Sequence, residues 1–215
     1  MLKGIQYRAP LSLEAIVDGG FSYAEIPYEV LANNALPTYK KKSRDNRLLM
    51  VSGLICELHG LTPDKLYDVL ETCRKYQGHY VVLSTMNCEP EVLENVVEKC
   101  AMMISDYKIP IFLENGCRGD DETGYMHNAY SDVSDLMKTA QYCNRLCEEP
   151  MVGICYNIGY GNLLAKNIRS QIYQCKDYLC AIHANDNGGT RNDKQMPYTF
   201  TKGRGDLVTD WYHIV

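Results

Sequence analysis

No stretch of about 18 consecutive apolar residues occurs in the chain, so no segment reads as a membrane-spanning helix. The amino terminus, Met1-Leu-Lys-Gly-Ile-Gln-Tyr7, lacks the basic region and apolar core of a secretory leader and enters a candidate strand almost at once. Positive charge is scarce: 22 Lys and Arg against 27 Asp and Glu leave a net charge of −5, which argues against nucleic acid as a partner. The one basic cluster, Lys40, Lys41 and Lys42 with Arg44 and Arg47, reads as a solvated helix face. No Gly-x-Gly-x-x-Gly follows the first strand, so a dinucleotide crevice has no support. A disulfide framework is missing too, although there are ten cysteines. Cys56, Cys73, Cys100, Cys155 and Cys180 sit inside apolar patterns, where a thiol behaves as a small hydrophobe, and this usage implies a reduced, cytoplasmic protein. Cys143 and Cys147 have i,i+4 spacing, but no second pair or His follows at zinc-site spacing.

What is present is a chain of 215 residues, 46% apolar, enough for one sizeable core and a single domain over residues 1–215. Short apolar runs alternate with amphipathic stretches. Strands are expected at Gly4–Arg8, Tyr23–Pro27, Leu48–Ile55, Tyr80–Ser84, Ile109–Asn115, Met151–Asn157 and Leu179–His183. Between them, helices are expected over Ser12–Gly19, around Thr38–Asn46, from Thr62 to Tyr76, over Glu89–Tyr107, from Ser131 to about Cys147 and over Asn162–Gln174. A final helix is expected to begin at Asp206. Gly116–Ser131 and Pro197–Arg204 read as loops, the first long and polar enough to form a site wall.

Strict alternation of strand and helix implies parallel strands with right-handed crossovers, and of the two architectures this allows, a (β/α) barrel is favoured over an open doubly wound sheet. The sequence stops inside what would be the helix before an eighth strand. In a barrel the C-terminal strand ends converge on one site. Strand two brings Glu25, three Glu57 and His59, four Ser84, five Glu114 and Asn115, six Asn157 and Tyr160, and seven His183 and Asp186. Glu114 stands out, because it closes a run with no polar face. A carboxylate, an amide oxygen and an imidazole from neighbouring strands are the donor types that hold Mn, Mg, Zn or Co.

The segments Ile111-Phe-Leu-Glu-Asn115, Gly153-Ile-Cys-Tyr-Asn-Ile-Gly-Tyr-Gly-Asn162, Ile182-His-Ala-Asn-Asp186 and Gly203-Arg-Gly-Asp206 with Trp211 resemble, in order and spacing, the xylose isomerase-like TIM barrels. These include sugar phosphate isomerases, epimerases of the tagatose epimerase type, inosose-processing enzymes and DNA repair enzymes of the endonuclease four type. The resemblance covers about residues 4 to 215 and implies an α/β TIM-type barrel, here truncated before strand eight. In that family a strand-five Glu, a strand-six Asp, a strand-seven His and a strand-eight Glu bind one divalent metal, and the two Glu residues move protons on the substrate. Carried over, Glu114 matches the first Glu and His183 the metal His, Asn157 stands in place of the Asp, and Tyr160 stands where many members have a substrate-binding His. The strand-eight Glu has no counterpart in this sequence.

The resemblance therefore implies a metal-dependent isomerase or epimerase-like protein acting on a small carbohydrate or polyol by enolisation. Glu114 is the expected catalytic group; Glu114, Asn157 and His183 are the expected ligands of one divalent metal; Glu57, His59, Tyr160, Asp186 and Arg191 are expected at the substrate. Asn157, Tyr160 and the missing strand favour an alternative, a non-catalytic barrel that binds a sugar or a partner chain. A homo-oligomer or partner chain covering the open strand edge is expected, since such an edge invites pairing. Endonuclease-four chemistry needs more ligands and a basic face than this sequence offers.

Overall fold

Each apolar run that is bounded by turn residues becomes a strand, and the amphipathic stretches between them become helices. A computed structural model describes residues 4–6, 13–33, 50–88 and 91–199. In chain order the elements are β1 (Ile5–Gln6), α1 (Leu13–Asp18), β2 (Tyr23–Pro27), α2 (Tyr28–Ala32), β3 (Met50–Glu57), α3 (Pro63–Lys75), β4 (Val81–Ser84), α4 (Glu91–Tyr107) and β5 (Ile111–Glu114). There follow β6 (Arg118–Asp120), β7 (Gly124–Met126), α5 (Val133–Leu146), β8 (Val152–Asn157), α6 (Ile158–Leu163), α7 (Ile168–Gln174) and β9 (Leu179–His183).

Seven strands form one parallel sheet in the order β1-β2-β3-β4-β5-β8-β9. In a flat sheet β2 and β9, five positions apart in that order, would be separated by about 24 Å at about 4.8 Å per strand. Yet Glu25 on β2 and His183 on β9 meet at 2.9 Å. The sheet is therefore curled into a TIM-type barrel arrangement, and the C-terminal ends of its strands face one another across the interior.

Helices pack outside. α3 buries Leu66, Val69, Leu70 and Cys73, a single stripe at helical spacing, and α5 buries Val133, Leu136, Ala140 and Cys143 in the same way. Full burial of each large apolar side chain contributes about 1.5–3 kcal/mol. α3 packs on α4 and α4 on α5, so the outer layer supports itself. Thr62 opens α3 by accepting from the Lys65 amide at 3.2 Å, with Pro63 in the first turn. β4 and β8 are buried along their whole length, as strands covered on both faces must be. β9 differs, with Cys180 and Ile182 exposed on its outward side. All ten cysteines are free thiols, eight of them buried. Among the described residues, no helix is long and apolar enough to cross a membrane.

Three expectations change. The stretch after β5 is not all loop: Arg118–Asp120 and Gly124–Met126 pair as an antiparallel hairpin, with Gly119 and Gly124 at positive φ on either side of its turn. The helix expected over Asn162–Gln174 is two helices. Asn157 caps α6 and Asn167 caps α7, and Ala165 breaks the run with a φ of 52°. α2 follows β2 directly, without a loop. The helix expected around Thr38–Asn46, the end of the Pro197–Arg204 loop, the final helix from Asp206, and Trp211 lie outside the described residues.

Candidate active site

The middle of β2 and the ends of β5, β8 and β9 deliver four polar side chains that bond chiefly to one another. Glu114, 1% exposed, ends β5. Its Oε1 lies 2.6 Å from Nδ1 of His183 and accepts a hydrogen bond from the Asn157 amide at 2.7 Å. The other ring nitrogen of His183, Nε2, lies 2.9 Å from Oε1 of Glu25, which also accepts from Gln6 at 3.3 Å. One imidazole thus bridges two buried carboxylates. Burial works against its charge, but Cys155, Glu25 and Glu114 together raise the His183 pKa well above its ordinary value and favour the charged ring. Burial likewise opposes ionisation of Glu114, and here the charge and hydrogen bond of His183, with the Asn157 amide, prevail and hold the carboxyl below the usual range.

Neighbouring backbone holds this group in place. Asn115 pairs its carboxamide with both backbone groups of Asn157, accepting from its N–H at 2.5 Å and donating to its carbonyl at 3.1 Å, and so ties β5 to β8 beyond the last ladder bond. Thr85 donates to the Glu114 carbonyl at 2.7 Å. Gly159 opens the space for the next loop: a Cβ there would stand 1.8 Å from Oδ1 of Asn185. Through that gap Asn185 reaches Asn157 and donates to its Oδ1 at 2.9 Å.

A cavity of about 140 Å³ opens beside the cluster, and its lining includes Gln6, Glu57, Ser84, Glu114, Tyr160 and Lys194. Both of these contacts of the Glu114 carboxylate fall on Oε1 rather than Oε2. Loss of hydration, then the negative Glu114, push the Glu57 carboxyl up, against the nearby Lys194. Tyr160 is buried, and its phenol is raised well above 10 by burial and by Glu114, so it stays a neutral donor. The Lys194 ammonium lies 5.7 Å from the centre of the Tyr160 ring.

Of the residues expected from sequence, Glu114, Asn157 and His183 are brought together, and Glu57 and Tyr160 line the cavity beside them. His59, Asp186 and Arg191 are not in that lining. His59 is exposed in the turn after β3, and Asp186 is fully buried, paired through its backbone with Gln195 and through Oδ1 with the Asn187 amide. Arg191 turns to Asp121 of the hairpin, at 3.7 Å. Two residues escaped the sequence reading of the site. Glu25 stood among the strand-end candidates without a role, and Lys194 sits in a loop whose position no periodicity could place.

Sequence comparison gives no match to a family model and none to a curated protein. Solved structures do match. They include a D-psicose 3-epimerase in the presence of D-fructose, 13% identical, over 100% of this chain and 79% of that one with a TM-score of 0.62. The 3-keto-D-glucoside 4-epimerase YcjR of E. coli is 16% identical over 83% of this chain and 76% of that one, TM-score 0.58. The probable 3-DHS dehydratase AsbF from Bacillus anthracis is 9% identical over 100% and 85%, TM-score 0.64. This chain shares their fold, a parallel α/β barrel arrangement.

The metal that the xylose isomerase-like resemblance implies can be tested against the donors. A cation needs lone pairs directed at it, and a metal-bound imidazole leaves one nitrogen for its second partner. Here both nitrogens of His183 are held by carboxylates. Asn157 has a single side-chain oxygen, which accepts from the Tyr160 amide at 3.1 Å as the cap of α6 and from Asn185 at 2.9 Å. Its other arm, an NH₂ without a lone pair, is what faces Glu114. Among the described residues no three His, Cys, Asp or Glu side chains are arranged to hold a metal. The donors as placed do not fit one.

Proposed function

We propose that this chain is a sugar isomerase or epimerase-like protein that moves a proton next to the carbonyl of a small carbohydrate or polyol. The observation that carries the reading is the pair of carboxyls on one cavity whose environments push them apart: Glu114 is held ionised by His183 and Asn157, and Glu57 is shifted toward its protonated form. Two titratable groups driven in opposite directions at one cavity are the arrangement that acid and base roles require. A proton leaves the carbon beside the carbonyl for one carboxylate, an enolate forms, and a proton returns from the other carboxyl to the same carbon for epimerisation or to its neighbour for isomerisation. Tyr160 and Ser84 supply hydroxyls to orient a polyol. The likeness to sugar epimerases supports the substrate class through the fold.

Turnover of a panel of ketoses and inososes by the wild type and by Glu114→Gln tests the reading. Conversion of at least one sugar by the wild type, lost in the variant, supports it, and no conversion of any member sinks it. The closure of Glu114, Asn157 and His183 on one another favours a second reading, a non-catalytic barrel that binds a sugar or a partner chain. A sugar that raises the melting temperature equally with and without EDTA, and is recovered unchanged, would select that one.

A further inference from the structure

The cavity holds a positive charge of its own. Among the described residues Lys194 is the one basic residue in the cavity lining, and it faces two carboxylates, Glu57 and Glu114. Its backbone is left-handed, with a φ of 47°, a conformation unfavourable for a residue with a side chain that persists where the surroundings enforce it. Here they do. On one side Gln195 exchanges both backbone hydrogen bonds with the buried Asp186, each at 2.8 Å. On the other, the Asn192 amide donates to Asp121 at 2.9 Å, the carboxylate that Arg191 also meets. The loop is pinned on both sides of Lys194, and the ammonium is turned over the Tyr160 ring.

We propose that this pocket works without a resident divalent cation. Asn157 and His183 have taken up the donors that would hold one, and the Lys194 ammonium is the electrophile that polarises the substrate carbonyl. This rests on the proton-transfer reading above and deepens it. When a carboxylate takes the proton from the carbon beside the carbonyl, the bonding pair moves to the carbonyl oxygen. The resulting enolate lies against the ammonium, which keeps its own protons. The other carboxyl then gives its proton to carbon, so the step closes without an oxidant, a reductant or a metal. A fixed charge aimed at the oxygen where negative charge develops needs no reorganisation during the reaction.

The test uses the full chain after EDTA treatment. Titration with Mn²⁺ is expected to show no saturable binding by the wild type in the millimolar range. Asn157→Asp keeps one oxygen for the α6 cap and turns a second toward Glu114, and it is expected to bind Mn²⁺ at least about tenfold more tightly than the wild type. Saturable Mn²⁺ binding by the wild type at or below the millimolar range overturns the proposal, and this readout needs no variant. In parallel, proton NMR follows deuterium uptake from D₂O into D-fructose. Equal uptake in EDTA and in Mn²⁺, reduced about 10²–10³-fold in Lys194→Met and partly restored in Lys194→Arg, supports it. Uptake that requires Mn²⁺ overturns the inference and leaves the proton-transfer reading intact. No uptake in either condition overturns that reading for this sugar and the Lys194 role with it, while the Mn²⁺ titration still decides on the cation.

Discussion

The two sides of the cavity handle charge in opposite ways. On the side built by β2, β5, β8 and β9, the polar groups of Glu25, Glu114, Asn157 and His183 are committed to one another at 2.6–2.9 Å. On the β3 side Glu57 is exposed to solvent and meets Glu114 and Lys194 through charge. The first is a fixed scaffold whose charges are set by burial and pairing. The second can change its protonation at little structural cost. An acid–base pocket needs both kinds, since a proton must be moved without the site coming apart.

Removing the bridge breaks that contrast most severely. His183→Phe leaves Glu25 and Glu114 buried without their shared partner, and chemical denaturation should show a loss of about 3–5 kcal/mol. Replacing Glu57 does the reverse. Glu57→Gln should leave stability within about 0.5 kcal/mol, because the residue is exposed, while slowing proton exchange on a turned-over sugar about 10²–10⁴-fold. Asn185→Ala removes one of two donors to the Asn157 oxygen and should cost about 1 kcal/mol by the same denaturation measurement. Smallest is Arg191→Ala at the outer clasp, where a thermal melt should be unchanged, since exposed ion pairs contribute little.

The scaffold also has a pH signature. Glu114 is depressed below its ordinary 4.5, so its contribution to stability is present above that value and fades as pH falls through the lower folded pKa. His183 is raised above its ordinary 6.5, so its contribution is complete below that value and fades as pH rises through the higher folded pKa. The network should stabilise the protein fully between about pH 4.5 and 6.5, and a wild-type melting profile should lose this plateau in His183→Phe.

The barrel architecture was legible because its strands are buried on both faces and so read as unbroken apolar runs, as at Val152–Asn157. Glu114 was legible for the same reason, a charge ending such a run. The division of Asn162–Gln174 into two helices was not, because it depends on two asparagine side chains folding back to cap, and asparagine also serves turns and surfaces. Lys194 could not be found from spacing. Its place is fixed by a backbone pairing between Asp186 and Gln195, which involves no side-chain pattern. Arg191 and Asp186, chosen for their chemistry and chain position, lie close to Lys194 in sequence but are held to other partners. Position along the chain brings a residue near a site; which partner claims its polar atoms decides whether it serves there.

The central claim is that one cavity holds Glu114 ionised and Glu57 shifted the other way. Carbon-13 NMR of the glutamate side-chain carboxyls, assigned with Glu57→Gln and Glu114→Gln, measures both midpoints directly. The account predicts that Glu57 titrates above the ordinary 4.5 and Glu114 below it. A common midpoint, or the reverse order, would contradict it.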